Sequence, residues 1–145
     1  QMVLIESCVN PKAVTRPDIG AVRGMGDTAI GMAYLAARTG PEQTAMLADL
    51  LALLPKTPTT VRQRHKAAIQ TEMARHASHG YCLSRNEPGG TLAVGVPMRL
   101  QGDTTLSMNC VVAAHSTAEK RMTQDIGPRL VRLARDLELL MGRQS

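Results

Sequence analysis

Gly80-Tyr81-Cys82-Leu83-Ser84-Arg85-Asn86-Glu87-Pro88-Gly89-Gly90 sets the architecture of this chain. The segment follows a long polar helical pattern and precedes two alternating patterns, Thr91–Leu100 and Thr104–Ala113. Gly80 offers a tight exit from a helix, and the residues after Tyr81 read as a short strand with small polar side chains. The glycines at 89 and 90 then hinge the chain into the next strand. Gln101-Gly102-Asp103 joins the two following strands as a hairpin. A helix exit, a short strand, a hinge and a β-meander together describe the mouth of a small-molecule pocket. They describe neither a catalytic nucleophile nor a nucleic-acid groove.

Outward from this segment, helices occupy the middle of the chain. Asp27 is placed to cap a first helix running to about Arg38, because a short polar side chain there satisfies free backbone amides. Gly40-Pro41 breaks the chain and Pro41 starts a second helix to about Leu54. Pro55 and Pro58 end it. Thr59 or Thr60 then caps a third helix to about Ser78, which carries Arg62, Arg64, His65, Lys66, Glu72 and Arg75 toward water. Val61, Ala68, Ile69 and Met73 supply its narrow apolar stripe. At the start of the chain, Met2–Val9 reads as a strand, followed by an Asn10–Gly24 loop marked by Pro11, Pro17 and Gly20. At the end, Ser116 or Thr117 caps a last helix that Gly127-Pro128 interrupts. Leu130, Val131, Leu133, Leu137 and Leu140 continue its apolar face. Leucines at this spacing pack in a core or support a contact between subunits.

This order implies one α+β domain, residues 1–145, built on a mainly antiparallel sheet covered by helices. With 43% hydrophobic residues the chain can bury a core, and nine Met and two Tyr give that core an adaptable, aromatic-poor character. The net charge of +5 is spread among acidic neighbours and lacks an aromatic platform, which argues against direct nucleic-acid contact by this segment. Three Cys without CxxC spacing argue against a disulfide framework or a structural zinc site, and reduced thiols imply a cytoplasmic setting. No apolar run reaches the roughly 18 residues a spanning helix needs, so no membrane partner is expected. The sequence opens with Gln1 directly in a strand, as a fragment of a longer protein would.

Strand periodicity separates two sheet faces. Leu92, Val94, Val96 and Met98 share a bulky face with Leu106, Met108, Cys110 and Val112. Ala93, Gly95 and Pro97 share the opposite face with Ser107, Asn109 and Val111. That second face is small and polar. It either leaves room for a ligand or is a plain solvated face, although side chains so small shield a sheet poorly. The amides of Thr28-Ala29-Ile30-Gly31 at a helix N-terminus favour a carboxylate. The same amides are also present in any well-capped helix.

Several other residue groups have plain readings beside functional ones. Cys82 and Cys110 are candidate redox thiols, or small buried hydrophobes. Cys110 with His115 lacks an oxyanion loop and an orienting partner, so no catalytic residue is assigned. His76 and His79 have helical i,i+3 spacing but no adjacent carboxylate or Cys, so no metal or cofactor is expected.

The assembled residues resemble the C-terminal effector-binding domain of IclR-type bacterial transcriptional regulators. The matching segments are Met2-Val3-Leu4-Ile5-Glu6-Ser7, Met25 through Ala36, Gly80–Ser84 with Glu87, Gly95–Arg99, and Ile126-Gly127-Pro128 with Leu130-Val131. They span nearly the whole chain in family order. The resemblance implies a GAF/PAS-like curved antiparallel sheet flanked by helices. It also implies a small organic acid, aromatic acids included, as effector, a homodimer or homotetramer, and DNA binding through a separate N-terminal winged helix-turn-helix that this segment lacks. By family position the ligand-binding residues are Met25, Thr28, Ala29, Ile30, Ser84, Ala93, Asn109 and Val111, with Arg85 and Glu87 as a gate. Some relatives place an Asp where this chain has Ser84-Arg85, and Cys or Ser where it has Ala93. These departures imply a less polar pocket with Arg85 free to turn inward. The alternatives are a small GAF-fold enzyme, which would need a titratable pair in the pocket, and a purely structural dimerisation domain.

Overall fold

The computed structural model describes residues 1–8, 18–54, 59–86 and 90–142. β1 (Met2–Val3) pairs antiparallel with β2 (Val22–Arg23), with Val3 opposite Val22. Leu4 N–H donates to Ala21 O at 3.0 Å, and Gly20 N–H donates to Leu4 O at 2.7 Å. The expected strand through Val9 is therefore much shorter, and Val9 itself lies outside the described residues, as do Pro11, Pro17, Pro55 and Pro58. A two-stranded ribbon cannot bury its own side chains. Val3, Ile5 and Val22 each remain more than half exposed.

α1 (Ala29–Ala37) begins one residue later than expected, because Thr28 rather than Asp27 is the N-cap. α2 (Gly40–Leu53) follows Thr39 with Pro41 in its first turn. α3 (Thr59–His79) ends at Gly80, whose φ of +81° suits a residue without a Cβ and whose N–H donates to His76 O at 2.7 Å. The expected apolar stripe of α3 is mostly outside the core: Ala68 is exposed and Ile69 is the one buried residue of the helix.

The central sheet has the order β3-β4-β5, with β3 at Cys82–Asn86, β4 at Thr91–Arg99 and β5 at Thr105–Ala113. Both pairings are antiparallel, and the register sets Ser84 opposite Ala93 and Ala93 opposite Val111. The next row joins Cys82, Gly95 and Asn109. The two faces inferred from alternation are thus the two faces of the sheet. On the bulky face, Leu83, Leu92, Val94 and Val96 pack with Tyr81, Ala118, Met122 and Ala134 into the main core. Burying each such aliphatic side chain is worth about 1.5–3 kcal/mol before the entropic cost of ordering it.

The last helix is not broken at Gly127-Pro128. α4 (Ala118–Arg121) passes through a π-turn at Met122–Ile126 into α5 (Gly127–Gly142). Within the turn, Gly127 N–H reaches back to Met122 O. Pro128 has no N–H to give, so the carbonyl of Thr123 loses its helical partners. Tyr81 Oη donates to that carbonyl at 3.2 Å. A Cβ on Gly127 would stand 2.9 Å from the Tyr81 ring, so the glycine is what lets the ring approach. The Gly-Tyr pair after α3 and the Gly-Pro pair that opens α5 are two halves of one contact.

Candidate functional site

The small face of the sheet receives the N-terminus of α1. A Cβ on Gly95 would lie 2.3 Å from Ala29 O and 2.8 Å from Ile30 N, so helix and sheet touch directly there. Ala29 and Ile30 are buried, at 1% and 7% exposure. The glycine therefore serves close packing, and the room expected beneath it is filled by the helix itself. Toward the edge strand the same face opens, with Asn109 exposed and Val111 53% exposed. Ser84, Ala93 and Ser107 are half-buried between these two zones.

Hydrogen bonds explain the helix start. Thr28 Oγ1 donates to Gly24 O at 2.6 Å and accepts from Gly31 N–H at 3.2 Å. Ser84 Oγ accepts from Ala29 N–H at 2.9 Å. Ile30 N–H, the remaining first-turn amide, has no hydrogen-bond partner among the described residues. The half-buried Met25 passes over the helix start, where a Cβ on Gly31 would be 2.4 Å from Met25 Cα and Met25 O. Ser107 Oγ, on the same face as Asn109, is buried without a partner among the described residues. Alternation with Asn109 was the sequence signal that placed it there, although it was not singled out as a site residue.

The structure brings Met25, Thr28, Ala29, Ile30, Ser84 and Ala93 together around the start of α1, with Asn109 and Val111 on the open side. Arg85 is not among them. It alternates with Ser84, so its side chain lies on the opposite face, where Nη2 meets Glu119 Oε2 at 3.2 Å. The inward turn expected of Arg85 does not occur, because strand pleating sends successive side chains to opposite faces. Glu87, its expected partner in a gate, lies outside the described residues.

The helical pattern places Glu72 on the solvated face of α3, yet its carboxylate points toward the protein. Glu72 Oε2 accepts from Leu83 N–H at 2.6 Å and pairs with Arg75 Nε at 3.0 Å. It thereby satisfies a donor on the outer edge of β3. Cys82 beside it is fully buried, and burial together with the Glu72 charge pushes its thiol up to about 12. Such a thiol lacks the lowered pKa and the exposure that favour redox sensing. Cys110 is half-buried and its thiol is also raised, chiefly by burial. His76 lines a cleft with Arg99, while the His79 ring sits 5.8 Å from that of Tyr81. The described residues contain no group of three or more His, Cys, Asp or Glu placed to hold a metal. Among them, no helix is long and apolar enough to cross a membrane.

Solved structures share this fold. An IclR-family transcriptional regulator from Brucella abortus aligns over 87% of this chain and 47% of its own, at 24% identity and a TM-score of 0.77. The repressor BlcR of Agobacterium tumefaciens aligns over 91% of this chain and 52% of its own, at 18% identity and a TM-score of 0.65. The inducer-binding domain of the transcription factor PobR from Acinetobacter, a double mutant in complex with 3-hydroxybenzoic acid, aligns over 90% and 77%, at 18% identity and a TM-score of 0.61. The chain spans about half the length of the first two regulators. No curated protein matches it by sequence. The α+β architecture is that of these GAF/PAS-like domains. A family model described as the bacterial transcriptional regulator IclR C-terminal region matches residues 1–139. The chain therefore belongs to the IclR family of bacterial transcriptional regulators and forms the family's C-terminal domain.

Proposed function

We propose that this domain senses a small organic acid at the start of α1. The observation that carries the reading is the Ile30 N–H, free among the described residues, beside a sheet face of small residues that opens at Asn109 and Val111. A carboxylate there gains the backbone donor and the positive end of the α1 dipole. Asn109 would supply a side-chain amide, Ser84 its hydroxyl proton, and Val111 and Ala93 apolar contact, while Thr28, its own proton given to Gly24 O, would hold the helix start in place. The likeness to the PobR domain, which holds 3-hydroxybenzoic acid, supports an aromatic acid as the class of ligand. Thr28, Ser84 and Asn109 include no general base, which favours sensing over turnover.

In this reading the acid binds one arrangement of the regulator more tightly than another. That difference changes how a separate N-terminal domain meets DNA. Self-association into a dimer or tetramer fits the exposed Leu133, Leu139, Leu140 and Met141 along α5. Glu87 would act as the gate residue, without Arg85, whose tie to Glu119 holds it on the opposite face of the sheet.

Calorimetry and melting shifts against a panel of small aromatic and aliphatic acids test the proposal. One class should stabilise the protein, and Asn109→Leu combined with Ala93→Phe should abolish that effect and the induction response. If no acid stabilises the protein and the double variant leaves induction unchanged, the reading fails.

A further inference from the structure

A second concave site lies away from the start of α1, between the end of α3, the end of β4 and the middle of α5. It is a cleft of about 240 Å³ with Val96 and Val131 in its floor and His76, Arg99, Arg135 and Glu138 on its rim. The rim charges do not cancel. Glu138 is its one carboxylate among the described residues, and Glu138 Oε1 already accepts the backbone N–H of Arg99 at 2.6 Å. The Arg99 guanidinium is held by a neutral group, donating through Nη2 to Ala37 O at 2.8 Å. Arg135 is exposed and has no ion pair among the described residues. Two permanent positive charges thus border a partly apolar recess with a single committed acid.

We propose that this cleft binds a small oxyanion, the carboxylate or phosphate group of a metabolite, with Arg135 and Arg99 as charged donors and His76 as a third. A planar guanidinium matches either group with paired hydrogen bonds. Val96 and Val131 would accept an apolar substituent. His76 reports on occupancy. The charged groups around it are Arg99 from β4, Arg135 and Glu138 from α5, and Arg75 and Glu72 on its own helix. Burial first, and the Arg99 charge second, hold its imidazole below the ordinary value. An anion beside Arg99 offsets that charge and favours the imidazolium. Binding therefore tightens as pH falls through the range where His76 takes up its proton. The proposal is independent of the effector site at α1.

The test is an NMR titration of the histidine ring signals with sodium phosphate and, separately, sodium acetate, at ionic strength held constant with chloride. The expected result is a saturable change at His76, absent at the exposed His65, that strengthens at lower pH. Arg135→Gln, whose exposed and unpaired side chain the fold does not need, should weaken the binding about fivefold or more, the loss expected of a charged donor. A response to phosphate alone assigns the site to phosphate esters, and one to acetate alone assigns it to carboxylates. Either supports the proposal. No saturable change at His76 with either anion overturns it, as does a change that Arg135→Gln leaves intact.

Discussion

Ser84 Oγ lies 2.9 Å from the amide nitrogen of Ala29, across 55 residues of sequence. A strand residue thus caps a helix in place of a local side chain. Together with Thr28 it leaves Ile30 as the first-turn amide without a partner among the described residues. Ser84→Ala removes the acceptor and leaves the buried Ala29 N–H unpaired. A loss of about 1–2 kcal/mol in urea unfolding is expected, with the slope unchanged. A loss within error would mean that the bond does not form in solution.

Gly95 controls how closely α1 approaches the sheet. In Gly95→Ala the new methyl would meet the Ala29 carbonyl at 2.3 Å, and backbone cannot yield as a flexible side chain can. The expected cost is about 3 kcal/mol, the upper end of overpacking penalties. Gly142→Ala meets nothing within 4 Å and should be close to neutral in the same assay.

Tyr81→Phe keeps the ring against Gly127 but removes the donor to Thr123 O. The carbonyl then has neither a helical nor a side-chain donor, so a destabilisation of about 1–2 kcal/mol is expected by calorimetric melting. An unchanged melting temperature would mean that another donor satisfies this carbonyl.

Glu72→Ala discriminates the folded structure from the pattern of α3, which places Glu72 in solvent and expects little effect. The observed geometry leaves the Leu83 N–H and the Arg75 guanidinium without their carboxylate. With the Glu72 side chain 13% exposed, the loss should reach about 2 kcal/mol or more in equilibrium unfolding.

The cysteines should separate by reactivity. Cys8 is exposed and should react first with a thiol reagent, Cys110 more slowly, and Cys82 only on unfolding. Burial pushes the Cys82 thiol up to about 12, above its ordinary value of 9.0. Between those values the unfolded chain has already lost the proton that the folded chain keeps. Stability should therefore fall as pH rises from about 9 toward about 12. Cys82→Ala should flatten that fall in alkaline denaturation series.

Much of the sheet was legible in the chain. Alternation in Thr91–Arg99 and Thr105–Ala113 separates Leu92, Val94 and Val96 from Ala93, Gly95 and Asn109, and a strand has no other way to dispose of successive side chains. The family resemblance likewise assembled residues around the start of α1. Alternation also held the answer for Arg85, which cannot share a face with Ser84. Glu72 escapes the pattern because a helix dominated by Arg and Lys has a weak apolar stripe. Which polar residues turn inward is then set by the neighbours, not by the period.

By itself, then, the sequence determined the α+β class, the order of its main elements, the two sheet faces and the family, because each follows from local periodicity or from motifs in order. Tertiary structure alone decided what the small residues are for. Gly95 admits the Ala29 carbonyl, Ser84 takes an amide that a ligand would otherwise find, and Tyr81 repairs the carbonyl that Pro128 leaves open. All three are contacts between segments far apart in the chain. A residue's size is written locally, but the atom it makes room for is not.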